Sequence, residues 1–484
     1  GFCTMPSLSE RLLAEAEEES MSRNLYNGGV AVDHDEWLGP DDDFDPYQII
    51  DDEDDDLEDL EDMKVIFSQI KQERKIKWEH KRVDWNYHRQ MLVHTEEFEN
   101  RFRMKEAHFD ALLDILRDSL TVSVKHSMSS TGGNEPICPE VILACGLRFL
   151  GLGENPPALA DMYGMSVPSA KRVVRMFLNA IDFNDTCPEL RLVLPDPTDR
   201  RELEALADEW RNVSTAFGLL NGHLGALDGW LPRTEAPRDV KNQAAYFSGH
   251  YQCYGLNCQA LCDPDLLFMY FCVAAPGKTN DVRAFGRCRA LKEWLAKLPD
   301  EYFIGGDNAY TLTDKLVTPY TKAEIDGDEH KRTYNYYLSQ LRIRIEMAFG
   351  RLTTKWRRLR STLNFSNKTN SQIIRVCTKL HNYCIRMSLK DGTYVRPVVS
   401  GNVDELNPSA FGVDPFDGGG NRRSKWGYLE SDPEAAAAPV RYSVLVTPDS
   451  SRRESILAEV YSRNTLRPRH NRFRNDNNRE DEMT

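Results

Sequence analysis

The stretch from Lys331 to Arg360 constrains this chain most. It holds nine Lys and Arg residues and a single acid, Glu346. Leu338, Leu341, Ile345, Phe349 and Leu352 recur every three or four residues, the spacing of an apolar helical stripe that faces a core. Asn335, Ser339, Arg342 and Glu346 follow at steps of four, three and four, and so share a second face. A lone carboxylate in such a basic field has two readings. One is a surface ion pair with Arg342; the other is a metal-ligating carboxylate on a helix that also tracks a polyanion.

At 484 residues the chain has room for two or three domains, and its 40% hydrophobic content supports packed cores. No apolar run approaches the ~20 residues that span a bilayer, so no membrane partner is expected. No secretory leader opens the sequence. The first residue is Gly1, which makes Met5 or a residue upstream the expected natural start. Eleven cysteines are scattered without a CxxC pair; Cys253, Cys258 and Cys262 lie closest together but lack His at zinc spacing. They read as buried free thiols in a reducing compartment. The net charge of −15 describes one segment: residues 31–62 carry 17 acids and no Lys or Arg, leaving the rest near +2. The acidity therefore does not argue against a nucleic-acid partner.

Residues 1–62 read as a disordered acidic tail, either inert or a nucleic-acid mimic covering a basic surface. Residues 63–190 read as helical. Within them ALADMYG is a short helix ended by Gly164, and Ser166 can cap the helix that begins VPSAKRVVRMF. Two helices around a Gly-containing turn have the helix-turn-helix pattern, which would present Ser169, Lys171, Arg172 and Arg175 to DNA. A helical hairpin without a DNA role shares that pattern. Over residues 191–390 the period shifts toward two: HLGALDGWLPR, YFSGHYQCYGLNCQALCD and LLFMYFCVAAPG read as strands. A helix over DVRAFGRCRALKEWLAKL, a strand EYFIGGD and further helices follow, which predicts an α/β fold with a mixed sheet. Residues 391–484 read as mostly disordered, with a short helix over SSRRESILAEVYSR. The basic end RPRHNRFRN reads as a solvated tail, a phosphate contact or an import signal.

Four acids stand out. Asp228 ends HLGALDG, Asp281 follows PGKTN, Asp307 ends YFIGGD, and Glu346 sits on the basic helix. Acids at strand ends lie on a sheet rim, where ligand crevices form, and the glycines beside Asp228 and Asp307 leave space for a bulky backbone. Each acid alone reads as a strand-end cap or turn residue. Several gathered together repel unless a cation neutralises them. Phosphodiester cleavage needs charge stabilised on both the attacking and leaving oxygens, which two Mg²⁺ ions held by carboxylates supply.

The segments GALDG (225–229), APGKTNDVR (275–283), GGDNAY (305–310) and YNYYLSQLRIRIEMAFGRLTTKWRRL (334–359) resemble transposases of the PIF/Harbinger superfamily, or host proteins derived from them. The resemblance covers roughly residues 100–387. It implies a ribonuclease-H-like mixed sheet flanked by helices, preceded by an all-α helix-turn-helix-like domain. It also implies a DDE set of Asp228, Asp307 and Glu346 as catalytic metal ligands, with Asp281 as a further ligand. The implied activity is a Mg²⁺-dependent DNA endonuclease and strand transferase, Mn²⁺ serving as a substitute. Such an enzyme cleaves transposon ends and joins the 3′-hydroxyl to target DNA. Arg342, Arg344, Arg351, Lys355, Arg357 and Arg358 would hold phosphates. Nuclear localisation, a homo-oligomer and a Myb-like accessory protein are further expectations. The alternatives are a domesticated DNA-binding or nuclease protein without transposition, and a structure-specific nuclease without strand transfer. Two positions depart from the family: Trp230 stands where Thr is usual, and Asn280 where His is usual.

Overall fold

Strand β1 (His223–Trp230) runs through the middle of a five-stranded sheet. The structure, a computed structural model, describes residues 30–31, 81–124, 135–184, 186–215, 218–397, 451–464 and 466–467. Strand β2 (Leu256–Cys262) pairs antiparallel with β1, and β3 (Phe268–Pro276) antiparallel with β2. Strands β4 (Phe303–Gly305) and β5 (Leu316–Val317) add parallel pairs on the other side, giving the order β3-β2-β1-β4-β5. Every residue of β2 and β3 is buried, because helices cover both faces of the sheet. The mixed α/β sheet and ribonuclease-H-like arrangement expected from the sequence are what forms, with a helical region ahead of it.

That region comprises α1 (Trp85–His94), α2 (Phe98–Phe102), α3 (Glu106–Leu120), α4 (Pro139–Gly151), α5 (Pro156–Tyr163) and α6 (Val167–Asp182). Helix α5 ends at Gly164, whose φ of 63° lies in the left-handed region. A Cβ there would also strike the Lys81 carbonyl. Ser166 then caps α6, its Oγ accepting from Ser169 N at 3.3 Å. Helices α7 (Arg200–Val213), α8 (Asp281–Arg287), α9 (Arg289–Lys297), α10 (Lys322–Ile325), α11 (Glu329–Lys355), α12 (Asn367–Lys390) and α13 (Ser451–Arg463) follow. The single helix expected after PGKTN is two, because Cys288 takes ψ 73°, outside the helical range. Phe247–Ser248 and Cys253–Tyr254 make a separate small hairpin instead of extending β2, and β5 is too short to show a period.

Helix α11 carries the Lys331–Arg360 pattern. Asp328 caps it, accepting from His330 N and Lys331 N at 2.9 and 3.3 Å. The whole apolar stripe is buried, Leu338, Leu341, Ile345, Phe349 and Leu352 being 0–8% exposed. Each contributes roughly 1.5–3 kcal/mol of burial. Asn335, Ser339, Arg342 and Glu346 form the half-buried second face. Tyr336, Tyr337, Ile343 and Met347 are buried too, so the helix is enclosed on more sides than one stripe.

The helical region shares one apolar cluster with the α/β unit, running from Phe102 and Phe149 to Phe303, Phe349 and Leu380. Buried polar contacts tie the two. Arg375 makes a bidentate pair with Asp182 at 2.9 and 2.6 Å, and Lys379 Nζ donates to the Asp182 carbonyl at 2.5 Å. Helix α13 packs on the N-terminal half of α11 through Ile456, Leu457 and Val460. Among the described residues the cysteines are unpaired, and no helix is long and apolar enough to cross a membrane. The acidic tract apart from residues 30–31, the helix expected over 63–80 and most of the basic end lie outside the described residues.

Candidate active site

The four singled-out acids reach one region from four elements. Asp228 is on β1 opposite Ala260 of β2. Its own Oδ1 accepts from Gly229 N at 2.8 Å. Asp307 follows β4 in a turn where Oδ1 accepts from Ala309 N at 2.9 Å. Asp281 is the first residue of α8, where the helix dipole favours a carboxylate. Asn280, in the position of the family's His, caps that helix, its Oδ1 accepting from Arg283 N at 3.0 Å. Glu346 lies on the second face of α11.

These acids act on one another electrostatically. Burial pushes Asp228 up to about 8; Arg342 opposes the rise, while Asp307 and Glu346 add to it. Burial likewise raises Asp307, against Arg342 and with help from Asp281, and raises Glu346, against Arg342 and with help from Asp307. All three side chains keep some accessible surface. Their desolvation is that of a recess rather than a sealed core. Arg342 is the cation common to all three, and it pairs with Glu346 at 2.8 Å. The surface-style ion pair and the place beside the aspartates are therefore both true of Glu346.

Asp281 is held differently. Asn257 Nδ2 and Gln259 Nε2 donate to its Oδ1 at 3.0 and 3.1 Å. Gln259 also donates to Asn257 Oδ1 at 2.7 Å, and Tyr310 Oη donates to Gln259 Oε1 at 2.7 Å. Gly229 makes this closeness possible, since a Cβ there would lie 3.0 Å from both Asp281 Cγ and Gln259 Nε2. Asn257, Gln259 and Tyr310 escaped the sequence reading, although two amides at alternate positions of an apolar strand share one face and were a usable signal. Tyr251 is a further omission. Its hydroxyl is pushed up to about 12, first by burial and then by Asp228, Asp281 and Asp307.

Among the described residues, no three His, Cys, Asp or Glu side chains stand close enough together to hold an ion as placed. The donor set nonetheless fits a hard divalent cation: all four candidate donors are carboxylates, and Asp228 and Glu346 are raised first by burial and then by their acidic neighbours, against Arg342.

Comparison with known proteins bears on this arrangement directly. Residues 227–382 match the profile of the DDE superfamily endonuclease family, a span that opens one residue before Asp228 and contains all four acids. The chain carries a DDE superfamily endonuclease domain. It is 24% identical to the protein named "Putative nuclease HARBI1" of Xenopus laevis over 283 residues, 58% of this chain and 75% of the relative. It is 24% identical to "Protein ALP1-like" of Arabidopsis thaliana over 307 residues, 60% and 71% of the two chains. No solved structure matches the chain.

Two arginines expected on phosphates are structural parts of the endonuclease domain. Arg344 is 1% exposed and donates to the carbonyls of Pro264 and Pro397 at 3.0 and 3.2 Å. Arg358 is 6% exposed and donates to Phe149 O, Asn155 Oδ1 and Glu154 O at 3.2, 3.2 and 2.6 Å. Both guanidiniums are committed to backbone carbonyls inside the protein. Arg357 is exposed; Arg351 and Lys355 are half-buried, Arg351 lying 5.0 Å over the Tyr394 ring. Lys171, Arg172 and Arg175 are exposed on α6, and the half-buried Ser169 hydroxyl is 2.9 Å from that of Ser166.

Proposed function

We propose that this chain is a divalent-metal-dependent DNA endonuclease of PIF/Harbinger transposase descent, which cleaves element ends and joins the 3′-hydroxyl to target DNA. The observation that supports it most is Asp228, a carboxylate whose burial and acidic neighbours Asp307 and Glu346 raise its proton affinity. Asp228 and Asp307 would share Mg²⁺ or Mn²⁺, with Asp281 and Glu346 completing the set. When bound, such ions would supply charge stabilisation on the attacking and leaving oxygens. The protein's own part is to hold the carboxylate oxygens in place. Asn257 and Gln259 fix one Asp281 oxygen, and Arg342 limits the repulsion around Glu346.

In this reading Arg351, Lys355 and Arg357 track the DNA backbone, and Ser169, Lys171, Arg172 and Arg175 on α6 recognise element ends. Arg342 contributes to the field while it pairs with Glu346. The proposal includes a nuclear location, a homo-oligomer and a Myb-like accessory protein, all by resemblance. A second reading, cleavage without transposition in a domesticated protein, is favoured by a relative named as a nuclease. The test is cleavage of a candidate element end with Mg²⁺ by wild type and by Glu346→Gln, followed by strand transfer from pre-cleaved ends. Cleavage lost in Glu346→Gln supports the site; equal cleavage by both removes Glu346 from it. Cleavage by wild type without strand transfer selects the second reading.

A further inference from the structure

Asp228 and Glu346 border a recess of about 590 Å³ that the carboxylate chemistry does not itself require. Its wall is largely apolar, with Trp230, Leu231, Leu266, Ile343 and Met347 among the lining residues. Trp230 is the outer member of an aromatic column. Phe268 lies 5.7 Å from Phe349, and Phe349 stacks on Trp230 at 5.6 Å with 23° between the rings. Phe271 meets Trp230 edge-on at 6.4 Å. The three phenylalanines are buried and Trp230 is half-buried, so the indole is the most exposed part of the column at the recess, which Phe349 also lines.

The rest of the lining is polar and carries both signs of charge, with Glu99, Asp228 and Glu346 as its acids. Arg103, contributed by the helical region, stands with Arg351 and Lys355 around the same recess. Arg103 is also close to Arg357 and Arg360; after burial, their charges most disfavour its protonated form. Crowding Arg103 beside Arg357 and Arg360 is costly for the protein alone. A purely apolar ligand would leave the cations without purpose. A stacked, paired base could not enter the hollow. An unpaired nucleotide satisfies both halves, its base on the aromatic wall and its phosphate among the cations. The volume falls within the roughly 300–1,000 Å³ of small-ligand sites.

We propose that this recess seats one unpaired nucleotide of the DNA strand being processed, with its base against Trp230 and its phosphate toward Arg103 and Lys355. The inference rests on the endonuclease reading and specifies the substrate at that site as a strand locally freed from its partner. A duplex would have to unpair to fill the recess, most readily at an end, nick or mismatch.

The test is binding of the full chain, in EDTA, to fluorescein-labelled decathymidylate, to a decamer of abasic residues and to a thymidine–adenine duplex of equal length. Working without metal separates this question from cleavage. Wild type is expected to bind decathymidylate about tenfold more tightly than the abasic strand. Trp230→Ala is expected to lose that preference and Trp230→Phe to keep most of it. Arg103→Ala should weaken both single strands alike and flatten their salt dependence. Equal affinity of wild type for thymidylate and abasic strands overturns the proposal without reference to any variant's folding, as does a folded Trp230→Ala that keeps the preference. A chain that shows the preference yet never cleaves DNA with Mg²⁺ or Mn²⁺ would overturn the endonuclease reading alone.

Discussion

The Tyr310 hydroxyl donates to Gln259 Oε1 at 2.7 Å, and the same amide's nitrogen donates to Asp281 Oδ1 at 3.1 Å. Tyr310 thus fixes which way the Gln259 amide faces, and the amide fixes one oxygen of a proposed metal ligand. Gln259 and Tyr310 are 0% and 5% exposed, so no water substitutes readily for either partner. Gln259→Leu is expected to weaken Mn²⁺ binding about 10- to 100-fold, as removal of an outer hydrogen-bond partner commonly does. Tyr310→Phe should weaken it less. Calorimetric titration of metal-stripped protein reads both, and unchanged affinity in Gln259→Leu would show the network to be purely structural.

Asp228 makes the metal-free protein pay for its site in stability. Its folded-state pKa is raised to about 8, above its ordinary 3.8, so its contribution to stability is full below pH 3.8 and is lost as pH rises through 8. At neutral pH most of that loss is present. Asp228→Asn should therefore raise the melting temperature of metal-free protein at pH 7.5 by about 3 °C or more while abolishing cleavage. Added Mg²⁺ should stabilise wild type and leave the variant unmoved. A variant that melts lower than metal-free wild type contradicts this.

Acid should weaken the fold through two buried histidines. Burial pushes His223 and His381 down to about 3; among the described residues His223 has no hydrogen-bond partner, and His381 Nε2 lies 2.8 Å from Leu266 O. A depressed folded-state pKa means stability is full above the ordinary 6.5 and falls as pH drops from there toward 3. Urea unfolding between pH 6.5 and 4.5 is expected to show this slope, and His223→Leu should make it shallower. An identical slope in the variant would exclude His223 as a source.

The helical region should not be separable from the endonuclease domain. Asp182 is 2% exposed and pairs with Arg375 of α12. Asp182→Ala removes the carboxylate from the partly buried Arg375 guanidinium and is expected to cost about 1.5–3 kcal/mol. The check is the urea midpoint at unchanged slope.

Adjacent arginines should behave oppositely. Arg357 is exposed, whereas the buried Arg358 donates to three acceptors. Arg357→Ala is expected to lower the salt dependence of DNA binding by about one counter-ion and leave stability unchanged. Arg358→Ala should destabilise the fold and leave the salt slope intact. Anisotropy titrations across salt concentrations, with melting curves, distinguish the two.

Much of the endonuclease domain was readable. The stripe from Leu338 to Leu352 lies buried as its spacing demands, because a helix of period 3.6 leaves one direction for such residues. Gly164 and Ser166 marked their turn for equally local reasons. Less readable was which cation in a basic run turns inward. Arg344 and Arg358 are placed by carbonyls at Pro264, Phe149 and Glu154, far away in sequence. The Asp281 clasp was hidden for a similar reason: amides carry no charge to draw notice, and their meaning depends on strand register.

Helix α13 is fastened to the start of the helix that carries Glu346. Arg453 pairs with Glu324 at 2.8 Å, the Tyr320 hydroxyl donates to Glu454 at 2.9 Å, and Tyr461 donates to Asp328, the residue that starts α11. Glu346 rides the same rod roughly 27 Å further along. Loss of α13 would therefore remove the contacts that anchor the start of the rod on which the glutamate is mounted.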